Sequence, residues 1–188
     1  MNSLLNGREI MRLFTCVWVP NDIREKIKLV QGKMVNLPMK VKFVEINNLH
    51  FTVSFLGEMG SSDLPNLKSK LDEVVKENEK FNVKIEGLKT IPSENYIRVI
   101  GIKVKDTDKI GNLIKSVGDK IGGKFYLEQK ITLCRVKKIL DKEVVQNFIR
   151  SNKNIKIGEF QVNRVSLVKS TLTKSGPIYE TIHDSYLE

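Results

Sequence analysis

The chain has 188 residues, 40% hydrophobic and 29% charged, proportions ordinary for a globular protein with room for a substantial core. No apolar run approaches the roughly 20 residues that cross a bilayer, and "MNSLLNGREI" has no signal-peptide core, so a membrane or secreted protein is not expected. Lys and Arg number 32 against 22 Asp and Glu, a net charge of +10 that favours polyanionic partners, nucleic acid above all, although a lysine-rich surface alone gives the same excess.

A second methionine opens "MRLFTCVWVP", an apolar run of strand length. Met11 is therefore the expected start of the folded domain, residues 11–188, with residues 1–10 as an extension. "NDIREKIKLVQGKMV" follows as a helix capped by Asn21 or Asp22, with Ile23, Ile27 and Val30 at helical spacing. "VKFVEI" is a short strand, and "HFTVSFLGE" another, ended by Gly57. "SSDLPNLKSKLDEVVKENE" is a helix with Leu64, Leu67, Leu71, Val74 and Val75 on one stripe. "FNVKIEGLKTIP" and "YIRVIGIKVK" are strands around the turn residues Pro92–Asn95. "TDKIGNLIKSVGDKIGG" turns Ile110, Leu113, Ile114 and Val117 inward and stops at a double glycine. "KITLCRVKKIL" is a strand, and Asp141 opens a helix over "DKEVVQNFIRSN". "FQVNRVSLVKSTL" and "GPIYETIHDSY" close the chain as two strands around Lys174–Pro177. Cys16 and Cys134 both lie in apolar strand runs without metal-site or CxxC spacing, which reads as buried free thiols in a reducing cytoplasm. Helices set between strands in this order predict an α+β fold with mainly antiparallel sheets.

Within "LHFTVSFLGE", alternation turns Leu49, Phe51, Val53 and Phe55 to one face and His50, Thr52 and Ser54 to the other. Later, "KITLCRVKK" repeats the pattern: Lys130, Ile131, Thr132 and Leu133 stand against His50, Phe51, Thr52 and Val53, and each strand precedes a predicted helix. The threonine recurs and the histidine does not. The chain therefore reads as a duplicated unit.

These two strands resemble the paired His-x-Thr-x motifs of the two-histidine (2H) phosphoesterases, in particular the archaeal and bacterial RNA 2′,3′-cyclic phosphodiesterases once called 2′-5′ RNA ligases. "HFTVSFLGE" is similar to the first motif with its flanks. "KITLCRVK" is similar to the second everywhere except at Lys130, keeping Thr132, Leu133, Arg135, Val136 and Lys137. "MRLFTCVWVP", "IRVIGIKV" and "VSLVKSTLTKSGPIYE" also look like family segments, so the resemblance covers residues 11–183. It implies two lobes of antiparallel sheet with helices outside, related by a pseudo-two-fold axis around a central cleft. It further implies a monomer acting on RNA ends that carry a 2′,3′-cyclic phosphate, tRNA fragments among the candidates, and leaving a 2′-phosphate, with weak 2′-5′ ligation as the reverse reaction. No metal or other cofactor is expected.

Opening a cyclic phosphodiester needs one group to take a proton from water and another to give one to the departing ribose oxygen. Imidazoles titrating near ~6.5 suit both tasks, and threonine hydroxyls can hold the non-bridging oxygens. By the resemblance His50 and position 130 are the catalytic pair, His50 as acid and position 130 as base, while Thr52, Thr132 and Arg135 bind the phosphate. Lysine, ordinarily near ~10.4, is a poor base unless burial or cationic neighbours lower its pKa by about 3–5 units. Lys130 is thus a phosphate-binding cation, an unusual base or an ordinary lysine in a decayed site, and the alternative function is a catalytically weak or inactive module that binds RNA ends. Hydrolysis of smaller nucleotide phosphodiesters by the same residues is a third reading. His183 reads as a surface residue, Phe51 and Trp18 as core, and Lys169, Ser170 and Thr171 as a family segment of structural role.

Overall fold

The computed structural model describes residues 4–5, 8–105, 108–174 and 176–188. Of the extension expected over residues 1–10, residues 1–3 and 6–7 lie outside the described residues, as do Thr107 in the third helix segment and Ser175 in the last turn. In chain order the elements are β1 (Leu4–Leu5), β2 (Arg8–Trp18), α1 (Asn21–Met34), β3 (Met39–Phe43), β4 (His50–Gly60), α2 (Leu64–Lys76), β5 (Phe81–Pro92), β6 (Ile97–Lys105), α3 (Lys109–Ile121), β7 (Lys130–Ile139), α4 (Lys142–Ser151), β8 (Lys156–Val162), β9 (Arg164–Leu172) and β10 (Pro177–Tyr186).

The helices form where apolar stripes and stop signals demand. α1 buries Ile23, Ile27, Val30 and Met34, with Gln31 on the same stripe. Pro20, not Asn21 or Asp22, holds its N-cap position, and no side chain caps it. The expected caps sit one or two residues inside because the extended Pro20 already fixes the entry of the chain. α3 runs until Gly122 and Gly123, both at positive φ. α4 is opened as expected by Asp141, whose carboxylate accepts from the Val144 N–H at 3.2 Å.

The strands form two antiparallel five-stranded sheets among the described residues. One runs β4-β2-β9-β10, with the short β1 paired to the start of β2. The other runs β3-β7-β6-β5-β8. With β3 set aside, β7-β6-β5-β8 stands to the second sheet as β4-β2-β9-β10 stands to the first, which is the duplicated architecture expected. The segment expected as a single strand from Phe160 splits after Val162. β8 pairs with β5 in one sheet, and β9 pairs with β2 and β10 in the other. Val162 and Val165 are both buried, so the chain crosses between sheets at Asn163 while keeping an apolar residue inside on either side. The buried core continues from one sheet to the other, and Phe51 is fully enclosed in it.

Strict alternation first fails at an equivalent point in each repeated strand. In β4, Thr15 of β2 pairs with Ser54 but Cys16 pairs with Thr52, leaving Val53 as an extra residue. In β7, Ile100 of β6 pairs with Cys134 but Gly101 pairs with Thr132, leaving Leu133 as the extra residue. Both are β-bulges at equivalent positions, and each reverses the facing of the side chains that follow it up to the next irregularity, at Leu56 in β4 and at Lys137 in β7. Ser54, expected on the polar stripe, is buried, whereas Phe55, expected in the core, is 47% exposed. Each bulge has its own polar brace. The Ser54 N–H donates to the Thr15 hydroxyl at 3.0 Å. The Leu133 carbonyl accepts from the Val44 N–H at 2.8 Å and from Gln31 Nε2 of α1 at 3.0 Å.

Candidate active site

Because of the bulges, the cleft-facing positions of each repeated strand fall at spacings of two and then three. His50, Thr52 and Phe55 of β4 and Lys130, Thr132 and Arg135 of β7 all line one cavity of about 410 Å³. The five residues singled out by sequence, His50, Thr52, Lys130, Thr132 and Arg135, therefore meet in a single cleft. Arg135 reaches it only through the bulge at Leu133, since plain alternation would turn it away from Lys130 and Thr132.

His50 is held on all sides. Its Nδ1 lies 2.7 Å from the Asn48 carbonyl oxygen, which can only accept, so Nδ1 carries a proton and Nε2 is the nitrogen left for chemistry. Three aromatic rings crowd it, those of Phe14 at 5.2 Å and of Trp18 and Tyr179 at 5.5 Å each. Burial among them lowers the pKa of His50, against a smaller upward pull from the Asn48 carbonyl. At neutral pH the imidazole is thus neutral, and its Nε2 is a proton acceptor.

The facing wall is charged. Burial lowers the Lys130 pKa first, followed by the cation of Lys89, with Glu128 pulling it up and Arg135 pushing it down. Lys89 and Glu128 form an ion pair, which holds the Glu128 carboxyl below its usual range. Arg135 is exposed, and Thr52 and Thr132 are half-buried beside it in the cleft lining. Opposite Thr132, Gly101 makes close strand pairing possible, since a Cβ there would lie 2.8 Å from the Ile131 carbonyl oxygen.

The rim comes from segments that the motifs did not mark. Phe125, Tyr126, Glu128 and Gln129, between α3 and β7, line the cleft. This loop is bound to β4 by two Phe55–Lys124 backbone hydrogen bonds of 2.8 and 2.9 Å and by Ser54 Oγ donating to the Gly122 carbonyl at 2.8 Å. Gly123, at φ +94, permits this approach, because a Cβ would fall 2.5 Å from Ser54 Oγ. From β10 come Pro177 and Tyr179. His183 lies elsewhere, its Nε2 2.7 Å from Asp72 Oδ1, and Lys169 pairs with Glu9. Trp18 is only half-buried and walls His50, where sequence put it in the core.

Thr15, Gln31, Asn48, Phe55 and Tyr179 were not singled out as site residues by sequence. A signal existed for Gln31, a lone amide on the inward stripe of an amphipathic helix, and for Thr15, a hydroxyl inside an apolar strand. Asn48 and Tyr179 carried none.

The family described as LigT like Phosphoesterase matches residues 17–101. A Methanocaldococcus jannaschii protein named RNA 2′,3′-cyclic phosphodiesterase is 34% identical over 180 residues, 93% of this chain and 99% of its own length. An Aquifex aeolicus protein of the same name is 32% identical, over 89% of this chain and 90% of its own. Among solved structures, a Thermus thermophilus protein superposes with a TM-score of 0.79 at 23% identity, covering 94% of this chain and 97% of that one. The apo form of Escherichia coli LigT gives 0.72 at 18% identity, covering 95% and 98%. Both structures share the fold of this chain.

Proposed function

The chain belongs to the LigT-like 2H phosphoesterases, the family of the RNA 2′,3′-cyclic phosphodiesterases, and from that premise we propose that it hydrolyses 2′,3′-cyclic phosphate ends of RNA to 2′-phosphomonoesters. The observation that carries this reading is the meeting of His50, Lys130, the two threonines and Arg135 in one cleft, on strands from two different sheets.

The geometry supports roles for the catalytic pair opposite to those the resemblance implies. Neutral His50, with Nδ1–H fixed on the Asn48 carbonyl, is the base: Nε2 takes a proton from the attacking water. Water oxygen bonds to phosphorus as the bond from phosphorus to the ribose 3′-oxygen breaks. Lys130, as an ammonium on the facing wall, gives its proton to that departing oxygen. Thr52, Thr132 and Arg135 hold the non-bridging oxygens, where charge accumulates in the transition state. Lysine at position 130 is thereby compatible with turnover, since the step asked of it is donation.

The test is incubation of a short RNA ending in 2′,3′-cyclic phosphate with the protein, resolving 2′- and 3′-phosphate products by chromatography. Accumulation of the 2′-phosphate, abolished by His50→Ala, is the expected result. Binding of the RNA end without any product would leave the non-catalytic RNA-end binder in its place.

A further inference from the structure

A second cavity, of about 640 Å³, adjoins the cleft. Asn48 and Tyr179 line both, and Trp18, edge-on to the His50 ring, lines the second. Its charged groups are Arg24 and Arg164, joined by the amides of Asn47 and Gln161. Among the described residues its lining holds no carboxylate. Arg24 Nε is buried and has no hydrogen-bond partner among the described residues, while its Nη1 reaches Asn21 Oδ1 only at 3.4 Å. Burial lowers the Arg24 pKa, so the guanidinium bears a desolvation cost that an anion would offset. Arg164 is held loosely, 3.8 Å from Asp184. α1 begins at this cavity without a side-chain cap, which leaves first-turn N–H groups free to face an anion.

An RNA ending in a 2′,3′-cyclic phosphate is closed at its 3′ end and continues only through its 5′ side. Each further nucleotide adds one phosphodiester, and that charge must leave the cleft over a neighbouring surface. The arginine-lined cavity is such a surface, and Trp18 and Phe160 give it aromatic faces on which a base can stack. We infer that this cavity binds the backbone phosphate of the nucleotide preceding the cyclic end, making an RNA chain, not a cyclic mononucleotide, the preferred substrate. The inference rests on the proposed reading of the cleft.

The experiment compares kcat/KM for a 2′,3′-cyclic mononucleotide and for a dinucleotide with the same end, in the unaltered protein and in Arg24→Gln and Arg164→Gln. Charge-assisted hydrogen bonds of this kind give the dinucleotide an advantage of about tenfold or more. Either substitution should remove most of that advantage and leave mononucleotide turnover unchanged. Equal rates on both lengths in the unaltered protein, or variants that lower both substrates by the same factor, would overturn the inference. A second readout does not need turnover: affinity for a fluorescent RNA hexanucleotide ending in 2′-phosphate, measured against salt. Each variant should make the slope of log K on log salt shallower by about 0.7, the value of one single-strand phosphate contact, and unchanged slopes in both would sink the cavity assignment. Failure of every cyclic substrate to turn over would overturn the phosphodiesterase reading alone, and the salt slopes would still decide the cavity.

Discussion

The β4 and β7 walls of the cleft are the same piece of backbone carrying different chemistry. Both strands run a half-buried polar residue, a buried apolar residue, a half-buried threonine and then the bulge, with the same burial at each step through their first ten residues. They differ in what projects: His50 and Phe55 on one wall, Lys130 and Arg135 on the other. The surroundings diverge accordingly. His50 is walled by Phe14, Trp18 and Tyr179, whereas Lys130 stands among Lys89, Glu128 and Arg135. In the proposed reaction the backbone repeat thus supplies placement, and the local setting divides the work between a neutral proton acceptor and a cationic wall for the phosphate.

Removing His50 breaks the comparison most severely. His50→Ala should lower kcat by about 10²–10⁴-fold, the range for a positioned general base, with KM for the cyclic RNA end little changed. Stopped-time assays across substrate concentrations read both parameters, and a loss confined to KM would contradict the assignment. Lys130→Ala comes next, with about 10²–10³-fold lost from kcat, as for removal of one transition-state donor.

The pH profile sharpens the contrast between the walls. A base must be unprotonated, so activity should rise with pH through a His50 pKa lying below the ordinary ~6.5. A donor must be protonated, so activity should fall as pH passes through a Lys130 pKa below ~10.4. If His50 were the acid, the slope near pH 6 would have the opposite sign. Lys130→His should bring the alkaline limb down toward neutrality and narrow the bell while the acid limb stays in place.

Two smaller effects follow. Arg135→Ala should raise KM about tenfold and lower kcat less than Lys130→Ala does, because its guanidinium meets phosphate charge already present in the ground state as well as the charge that builds in the transition state. Gly123→Ala forces a side chain into a positive-φ position against Ser54 and Phe55. It should cost about 1–3 kcal/mol, read as a lower Tm, with some loss of activity from displacement of the cleft rim.

Most of the fold was legible because the stripes are clean. The α3 stripe buried as expected, the α2 stripe did so apart from half-buried Leu64, and Asp141 capped α4. Splitting of the penultimate strand was not legible, because Val162 and Val165 keep an apolar pattern on both sides of the crossing. Each wall's motif could be found through the recurring threonine. The facing of Ser54, Phe55 and Arg135 could not, since nothing in the composition of "TVSF" or "TLCR" announces an extra residue in the ladder. Its braces, Thr15 and Gln31, lie 39 and 102 residues away from the groups they hold. The environment of His50 was equally hidden, being assembled from β2, from the turn at Asn48 and from β10.

The bulge at Leu133 also sets which kinds of genetic change this cleft can absorb. A point substitution alters one projecting group and leaves its neighbours where they were. Loss of a single codon at the bulge would restore plain alternation and leave Arg135 two positions after Thr132, still on the cleft face, with Cys134 still turned inward. For this stretch of chain the residue count between Thr132 and Arg135 is therefore a variable separate from the identity of the residues counted: a spacing of two or of three brings an arginine to the cleft, the longer one only with the bulge.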